Sequence, residues 1–407
     1  MPNITELFTQ ADQILAPLFA QFDAISTANT ERVLIAFAKH RVSDAMFGGT
    51  TGYGYDDAGR TALESIYADV FGAETALVRT QFVSGTHAIS CALFGAIKPS
   101  ETLISAYGAP YDTLQGVIAG NVGSFDTFNI EYRQVEPLAD GAVDFKALGA
   151  AIDGVSGAVL IQRSRGYSAR KALTIDEIGA ICSFVKSRNP AINIVVDNCY
   201  GEFTDTREPT HVGADIAVGS LIKNPGGGLA PCGGYICGRA DLVEAAAARM
   251  TAPGIAGHCG ATLGQNRLLF QGFFLAPHTV NQALKISAVA AEVLSFLGYD
   301  TSPTRDEQRS DIITRIAFGT AEPLLAFCRN IQYGSPVDSF VTPEPWPMPG
   351  YGCDVIMAAG TFVQGASIEL SCDAPIREPF AAYLQGGLTY ESGKICLMRA
   401  VEKLCES

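Results

Sequence analysis

Histidine is scarce in this 407-residue chain: there are five, His40, His87, His211, His258 and His278, and no two stand four apart. That excludes a histidine-rich metal centre. His258 and Cys259 could join Cys232 and Cys237 around zinc only with the ligand spacing of a zinc site, which is missing, so no metal is expected. The motifs GxxxxGK[ST], HExxH and GxSxG are absent, and no Rossmann fingerprint follows a first strand, which argues against a nicotinamide enzyme. Charged residues make up only 17%, and they are unbalanced: Lys+Arg 28 against Asp+Glu 42 gives −14 and an isoelectric point near 4.8. Such a surface repels phosphate backbones and anionic lipid, so neither nucleic acid nor membrane is an expected partner. No apolar run approaches the ~18 residues of a transmembrane helix. The first residues, MPNITELFTQ, have neither the basic region nor the apolar region of a signal peptide. Cysteine is plentiful at 11, but the count is odd, the spacing irregular and CxxC absent, so the thiols read as small buried residues in a reducing, cytoplasmic setting.

What the chain does have is a large core and an excess of glycine. Hydrophobic residues reach 48%, a balance that excludes disorder, and the length allows two to three domains of ~150 residues. Glycine occurs 42 times, about one residue in ten, against a usual share of roughly 7%. With no collagen period and no low-complexity block, these glycines belong in turns or against a ligand.

The spacing of Ile4, Leu7, Phe8, Ile14, Leu15, Leu18, Phe19 and Phe22 predicts a helix over 3–25, and a second helix is expected after Thr30. Phe47–Gly59, FGGTTGYGYDDAG, reads as loop. Helices and strands then alternate: helix 61–70, strand 75–78, helix 86–97, strand 102–105, helix 111–119 and strand 129–135. The series continues with helix 144–151, strand 158–162, helix 174–187, strand 192–197 and short strands at 215–219 and 234–238. Strands that are nearly all apolar, such as INIVV, imply an α/β fold with a mostly parallel sheet covered on both faces. Beyond residue 260 the pattern changes to an Ala-rich helix over 279–296, a Pro/Gly-rich segment PEPWPMPGYG, strand-like runs at 355–357 and 367–370, and a last helix near 391–404. The expected organisation is an N-terminal helical arm (1–46), a large domain (47–285) and a smaller α/β domain (286–407).

Three features carry the chemistry. Ser84-Gly85-Thr86-His87 follows a strand and opens a helix, so its free N–H groups and hydroxyls make either a phosphate seat or an ordinary N-cap. Asp197 ends the strand INIVVD at the carboxyl edge of a parallel sheet, where ligands bind, although a turn aspartate is an equal reading. Lys223, in GSLIKNPGGG, follows an apolar strand and could act as a nucleophile if buried beside a cationic ring, while Ser220 could add a phosphate donor. A solvated surface lysine is the alternative. The three glycines after it would let backbone approach a flat ligand. Phosphate seat, carboxylate and lysine together are what pyridoxal phosphate requires: one holds the phosphate, one keeps the pyridine nitrogen protonated, and one binds the aldehyde.

With these residues the chain resembles fold-type I pyridoxal-phosphate enzymes, within them the cystathionine lyase/methionine γ-lyase group, and most closely the methionine γ-lyase-related, or aluminium-resistance, branch. The stretches that carry the resemblance are FGGTTGYGYDDAGRTALESIYADVFGAETALVR, VSGTHA, VVDNCYGEF, GSLIKNPGGGLAPCGGYICG and YLQGGLTYESGK, from residue 47 to 394. The resemblance implies a large domain with a mostly parallel seven-stranded sheet and a smaller C-terminal α/β domain. It makes Lys223 the Schiff-base lysine and proton carrier, Asp197 the partner of the pyridine nitrogen, and Ser84, Gly85, Thr86 and Ser220 the phosphate ligands. Tyr111 would stack on the ring and serve as acid or base, unless it is core packing. His87 would stack instead or extend the phosphate seat. Tyr53 and Tyr55 occupy the place of residues that reach a neighbouring subunit's phosphate, but no arginine lies two residues on and Arg60 is the nearest. For the substrate carboxylate Arg377 is the first candidate, with Arg163 and Arg165 as competitors; a surface salt bridge is the alternative for each, and an equal one for Arg377.

The function this implies is carbon–sulfur β- or γ-elimination on a cystathionine- or methionine-like amino acid, giving a 2-oxo acid and ammonia. The implied assembly is a homodimer or homotetramer with active sites at the dimer interface. An aldolase or aminotransferase would use the same three anchors, and a non-catalytic pyridoxal-phosphate-binding protein is the rival from another class.

Overall fold

The computed structural model describes residues 3–406. In chain order the elements are α1 (Ile4–Lys39), α2 (Ala58–Phe71), β1 (Thr75–Arg79), α3 (Gly85–Ala96), β2 (Thr102–Ser105), α4 (Asp112–Ile118), β3 (Glu131–Gln134), α5 (Phe145–Ile152), β4 (Gly157–Gln162), α6 (Ile175–Arg188), β5 (Asn193–Asp197), β6 (Ile216–Ser220), β7 (Gly234–Gly238) and α7 (Ala240–Met250). They are followed by α8 (Asn266–Phe296), β8 (Asp300–Ser302), β9 (Ile313–Ala317), α9 (Ala321–Gly334), β10 (Trp346–Pro347), β11 (Asp354–Ala358), β12 (Ser371–Pro375), β13 (Ala381–Gln385) and α10 (Tyr390–Glu406).

A seven-stranded sheet runs in the order β1-β7-β6-β5-β4-β2-β3, with β7 alone running against the others. The apolar strands explain its layering. Along β4 and β5, Val159, Ile161, Ile194 and Val196 pack with α5 and α6, while Leu160 and Val195 pack with α3 and α7. This alternation is what a strand buried on both faces demands. It also sets the direction of the residue that ends β5: Asp197 lies on the face of Val195, toward α3. A separate antiparallel sheet, β10-β11-β12-β13-β9-β8, follows α8, which passes position 285 unbroken and joins the two sheets. The fold class expected from the sequence is thus the one observed.

Several local expectations fail for identifiable reasons. No break occurs between residues 25 and 30, because α1 is one helix of 36 residues. The hydroxyls of Thr27 and Thr30 bond the carbonyls four residues back, and the buried Asn29 side chain donates to the carbonyls of Phe203 and Asp205. Tertiary contact therefore holds a polar stretch helical. Helix α8 begins at Asn266 rather than 279, running through both Gly272 and Pro277. Residues 367–370 form a turn instead of a strand, tied by Glu369, whose carboxylate accepts the N–H groups of Phe362 and Val363. The strand itself starts at Ser371.

The glycines after Lys223 also serve a different purpose from the one expected. Added Cβ atoms at Gly226 and Gly227 would strike the carbonyl oxygens of Leu221 and Gly272, and one at Gly272 would strike that of Gly226. Backbone here packs against α8, not against a flat ligand, and Gly227 and Gly228 have φ of 56° and 81°. The lysine loop is braced by this contact. Gly272→Val should therefore overpack the crossing and cost about 1–3 kcal/mol, read as a lower apparent melting temperature. An unchanged melting curve would show that the crossing has slack.

Candidate active site

The carboxyl ends of β4, β5 and β6 lie side by side, in register Gln162↔Asp197↔Val218. Gln162, Asp197 and Ser220 therefore share one sheet edge, and the chain turns from Ser220 to place Lys223 three residues on. This edge forms the floor of a cleft of about 250 Å³ whose other wall comes from the second sheet. Both Asp197 and Lys223 line it, with Ser84, Gly85, Thr86, Tyr111 and Ser220.

Helix α3 points its N-terminus at this cleft. Ser84 is its N-cap, accepting the N–H of His87 at 3.1 Å. The N–H groups of Gly85 and Thr86 belong to the first turn and have no acceptor within the helix. The capping and phosphate-seat readings are thus compatible. A Cβ at Gly85 would stand 3.2 Å from the Cβ of Ser220, so glycine lets the helix start approach the end of β6. The Thr86 hydroxyl meets that of Thr113 at 2.7 Å.

Asp197 is only 6% exposed, and its carboxylate accepts the N–H of Cys199 at 3.1 Å. Burial pushes its pKa up, while Lys223 and the Cys199 hydrogen bonds pull it back. Lys223 is part-buried, with its ammonium 4.0 Å from the centroid of the Tyr200 ring. Burial opposes its charge, but the surrounding Cys199, Tyr200 and Asp197 outweigh that and raise its pKa above the ordinary lysine value. The Asp197 carboxylate is one of the attractions that favour the ammonium form of Lys223. This is the opposite of an easily lost proton.

Tyr111 sits at the start of α4, its N–H bonded to Gln162 Oε1 at 2.6 Å and its hydroxyl 2.7 Å from that of Tyr351. Its ring meets those of Tyr167 and Tyr351 edge-on at 5.4 and 6.0 Å. Burial raises its pKa well above the usual phenol, so it holds its proton at neutral pH.

The other expected residues lie elsewhere. His87 is not in the cleft lining; its Nδ1 accepts the N–H of Val83, and its ring packs edge-on against Phe82. Tyr53 and Tyr55 are exposed at 74% and 59% and pack on each other outside the cleft. None of the three arginines reaches the cleft. Arg163 is buried beneath it, donating to Asn198 and Thr204 at 2.8 and 3.0 Å and paired with Glu208 at 3.5 Å. Arg165 donates to Ser302 at 3.3 Å, and Arg377 is an exposed residue 3.7 Å from Asp112. The buried Glu208 carboxylate claims Arg163, and Arg165, itself buried, is turned away from the cleft toward Ser302 and Asp311.

The cleft residues that sequence reasoning missed come from the same segments. In QRSRGYS it is Gln162, Ser164 and Tyr167 that line the cleft, held there by Arg170, which donates to the Ser164 carbonyl at 2.9 Å. In SCDAPIREPF it is Ser371 and Asp373 rather than Arg377, joined by Gln385 from the neighbouring strand. Asp373 accepts from the Tyr167 hydroxyl at 3.0 Å and from Gln385 Nε2 at 2.9 Å; burial pushes its pKa up to about 6 against the pull of Tyr167, Gln385 and Lys223. Tyr351 comes from the Pro/Gly-rich segment, Cys199 and Tyr200 from the turn after Asp197. Strand alternation at 371 and 373 was the available signal, masked by a strand placed four residues early.

The residues present fit pyridoxal phosphate on three counts: unpartnered first-turn amides beside a serine, a buried carboxylate at the sheet edge, and an amine between them and the second sheet. No group of three or more His, Cys, Asp or Glu among the described residues could hold a metal, and all eleven cysteines are free.

Beneath the floor, Glu202 accepts from the Tyr235 hydroxyl at 2.9 Å, and burial pushes it up to about 8 from an ordinary 4.5. A group with a raised folded pKa contributes stability that is complete below its unfolded pKa and is lost as pH rises through the folded one. Melting temperature should therefore fall as pH rises through that window, and Glu202→Gln should flatten the fall. Parallel curves for both proteins would show that Glu202 ionises normally.

The methionine gamma-lyase family model matches residues 4–405. The Bacillus subtilis (strain 168) protein YnbB is 51% identical over 406 residues, covering 99% of this chain and 96% of that protein. A crystal structure described as a carbon-sulfur lyase involved in aluminum resistance, from Clostridium novyi NT, superposes with a TM-score of 0.94 at 47% identity, covering 98% of this chain and 95% of that one. The pyridoxal-5'-phosphate dependent protein YhfS of Escherichia coli shares the fold, with a TM-score of 0.63 at 17% identity over 94% of this chain and 96% of its own. The family match runs across nearly the whole length, and half the aligned residues of one relative are identical: this chain belongs to the methionine gamma-lyase family.

Proposed function

We propose that the protein is a pyridoxal-phosphate-dependent carbon–sulfur lyase that cleaves a cystathionine- or methionine-like amino acid by β- or γ-elimination, giving a 2-oxo acid and ammonia. The observation that carries this reading is the meeting of the α3 N-terminus, Asp197 and Lys223 in one cleft of a chain with this family membership. When bound, pyridoxal phosphate supplies the electron sink that makes the Cα–H of an amino acid acidic.

The protein's part is to hold, orient and move protons. Gly85 and Thr86 N–H, with the Ser84 and Ser220 hydroxyls, hold the phosphate at the positive end of α3. Asp197 keeps a proton on the pyridine nitrogen by pairing with it. With the Asp197 charge engaged, its attraction for the Lys223 proton would be weakened, and the free amine would be suited to accept the Cα proton and, for γ-elimination, a proton at Cβ. Tyr111, which lines the cleft and which burial keeps protonated, is the candidate to donate a proton to the leaving thiolate. Tyr167, Tyr200 and Tyr351 close around the cleft and keep water from the reacting atoms.

Active sites completed by a second copy of the chain are part of the proposal. In support of it, Tyr53 and Tyr55 are large, exposed and absent from their own cleft, as residues that serve a neighbour would be. No helix among the described residues is long and apolar enough to cross a membrane. A cytoplasmic location is proposed because all eleven cysteines are free thiols, as a reducing compartment would keep them.

The test is a panel of cysteine, methionine and cystathionine-type thioethers on enzyme loaded with pyridoxal phosphate, scoring 2-oxo acid and ammonia together. Lys223→Ala should abolish release, and Tyr111→Phe should slow it by about 10²–10⁴-fold, the usual range for loss of a general acid. Equal release by Lys223→Ala would remove the lysine from the mechanism. Cofactor binding with no 2-oxo acid from any thioether would favour an aldolase or aminotransferase.

A further inference from the structure

The charge in the cleft is arranged the wrong way round for a site that selects its substrate by the α-carboxylate. Of the residues lining it, only Asp197, Lys223 and Asp373 carry formal charge, and no arginine is among them. Asp197 and Lys223 are committed to the floor. Asp373 faces them from β12, is 4% exposed, and has no role in the chemistry described so far.

Its surroundings are built for a ligand that donates. Both of its hydrogen bonds, from Tyr167 and Gln385, arrive at Oδ2, while Oδ1 is buried with no partner. Two residues back on the same face, the Ser371 hydroxyl is likewise buried and unpartnered. Ser371 lies opposite Gln385 in the strand pair, so Ser371, Asp373 and Gln385 form one patch of the second sheet. An unsatisfied buried carboxylate oxygen costs free energy until it meets a donor, and a cation satisfies it best. Lys223 is the only cationic side chain in the cleft lining, and it is withdrawn once its amine is engaged by cofactor.

We propose that Ser371, Asp373, Gln385 and Tyr167 form a subsite for a protonated amine at the far end of the substrate, so that the lyase prefers amino acids whose leaving group carries a second ammonium. This rests on the lyase reading and names the substrate class for it. The α-amine goes to the floor, the sulfur lies between, and the distal ammonium meets Oδ1 of Asp373. Neutral thioethers would leave that oxygen unpaired and would bind less well.

Two matched pairs test it on the enzyme loaded with pyridoxal phosphate, at a pH near 8 where Asp373, with its raised pKa of about 6, is ionised. L-Lysine and L-norleucine differ only in a terminal ammonium in place of a hydrogen and have no leaving group, so titration calorimetry reads binding alone. Lysine should bind at least about tenfold more tightly, the scale of one hydrogen-bonded charge. Asp373→Asn should collapse that ratio toward one. The second pair, S-(2-aminoethyl)-L-cysteine and S-propyl-L-cysteine, asks the same of kcat/KM for 2-oxo acid release. If the variant does not fold, the wild-type pairs still decide. Norleucine binding as well as lysine, or a lysine preference unchanged in Asp373→Asn, would overturn the subsite even while both thioethers are cleaved. A lysine preference that Asp373→Asn collapses, with no 2-oxo acid from either thioether, would support the subsite and remove the lyase reading instead.

Discussion

A carboxylate and an ammonium held at one buried sheet edge, Asp197 and Lys223, are the pair on which the rest of the site depends. Neither charge is tolerable alone at this depth, and burial raises the pKa of one while opposing the charge of the other. Their mutual attraction opposes the effect of burial at both groups, pulling the pKa of Asp197 down and that of Lys223 up. The fold supplies that pairing through plain strand geometry. Alternation along β5 turns Asp197 toward α3, and the short turn after β6 returns Lys223 to the same cleft. The α8 crossing at Gly226 and Gly272 braces the turn from behind.

Around this pair the two sheets contribute unlike things. The large sheet and α3 provide donors and a positive helix end, suited to an anion. The second sheet provides an acidic, half-satisfied wall, suited to a cation. Between them lies a layer of tyrosines, Tyr111, Tyr167, Tyr200 and Tyr351, whose phenols burial keeps neutral. A molecule that spans the cleft therefore meets a gradient of preference, anion-seeking at one end and cation-seeking at the other.

The parallel sheet was legible because its strands are apolar runs with a polar residue at the end, so β4, β5 and β6 and the residues that close them could be placed from the chain alone. The start of α3 at Ser84–Thr86 was legible for the same reason that any helix start is. What the sequence concealed was set by tertiary contact: α1 stays helical through a polar stretch because Asn29 is pinned to another segment. α8 tolerates a glycine because the backbone of another loop packs on it. Arginine looked like the natural carboxylate ligand in QRSRGYS and in SCDAPIREPF, yet Arg163 is claimed from below by Glu208, and Arg377 lies at the surface. The residues beside them, Tyr167 and Asp373, face the cleft instead, a matter of register that one misplaced strand was enough to hide.

The central claim, that Lys223 is the cofactor lysine of this cleft, is tested most directly by covalent trapping. The protein would be reconstituted with pyridoxal phosphate, reduced with borohydride, digested and sequenced by mass spectrometry. The account predicts a single modified peptide, carrying the reduced cofactor on the side-chain nitrogen of Lys223. Modification of another lysine instead, or no modification of a folded protein, would contradict it.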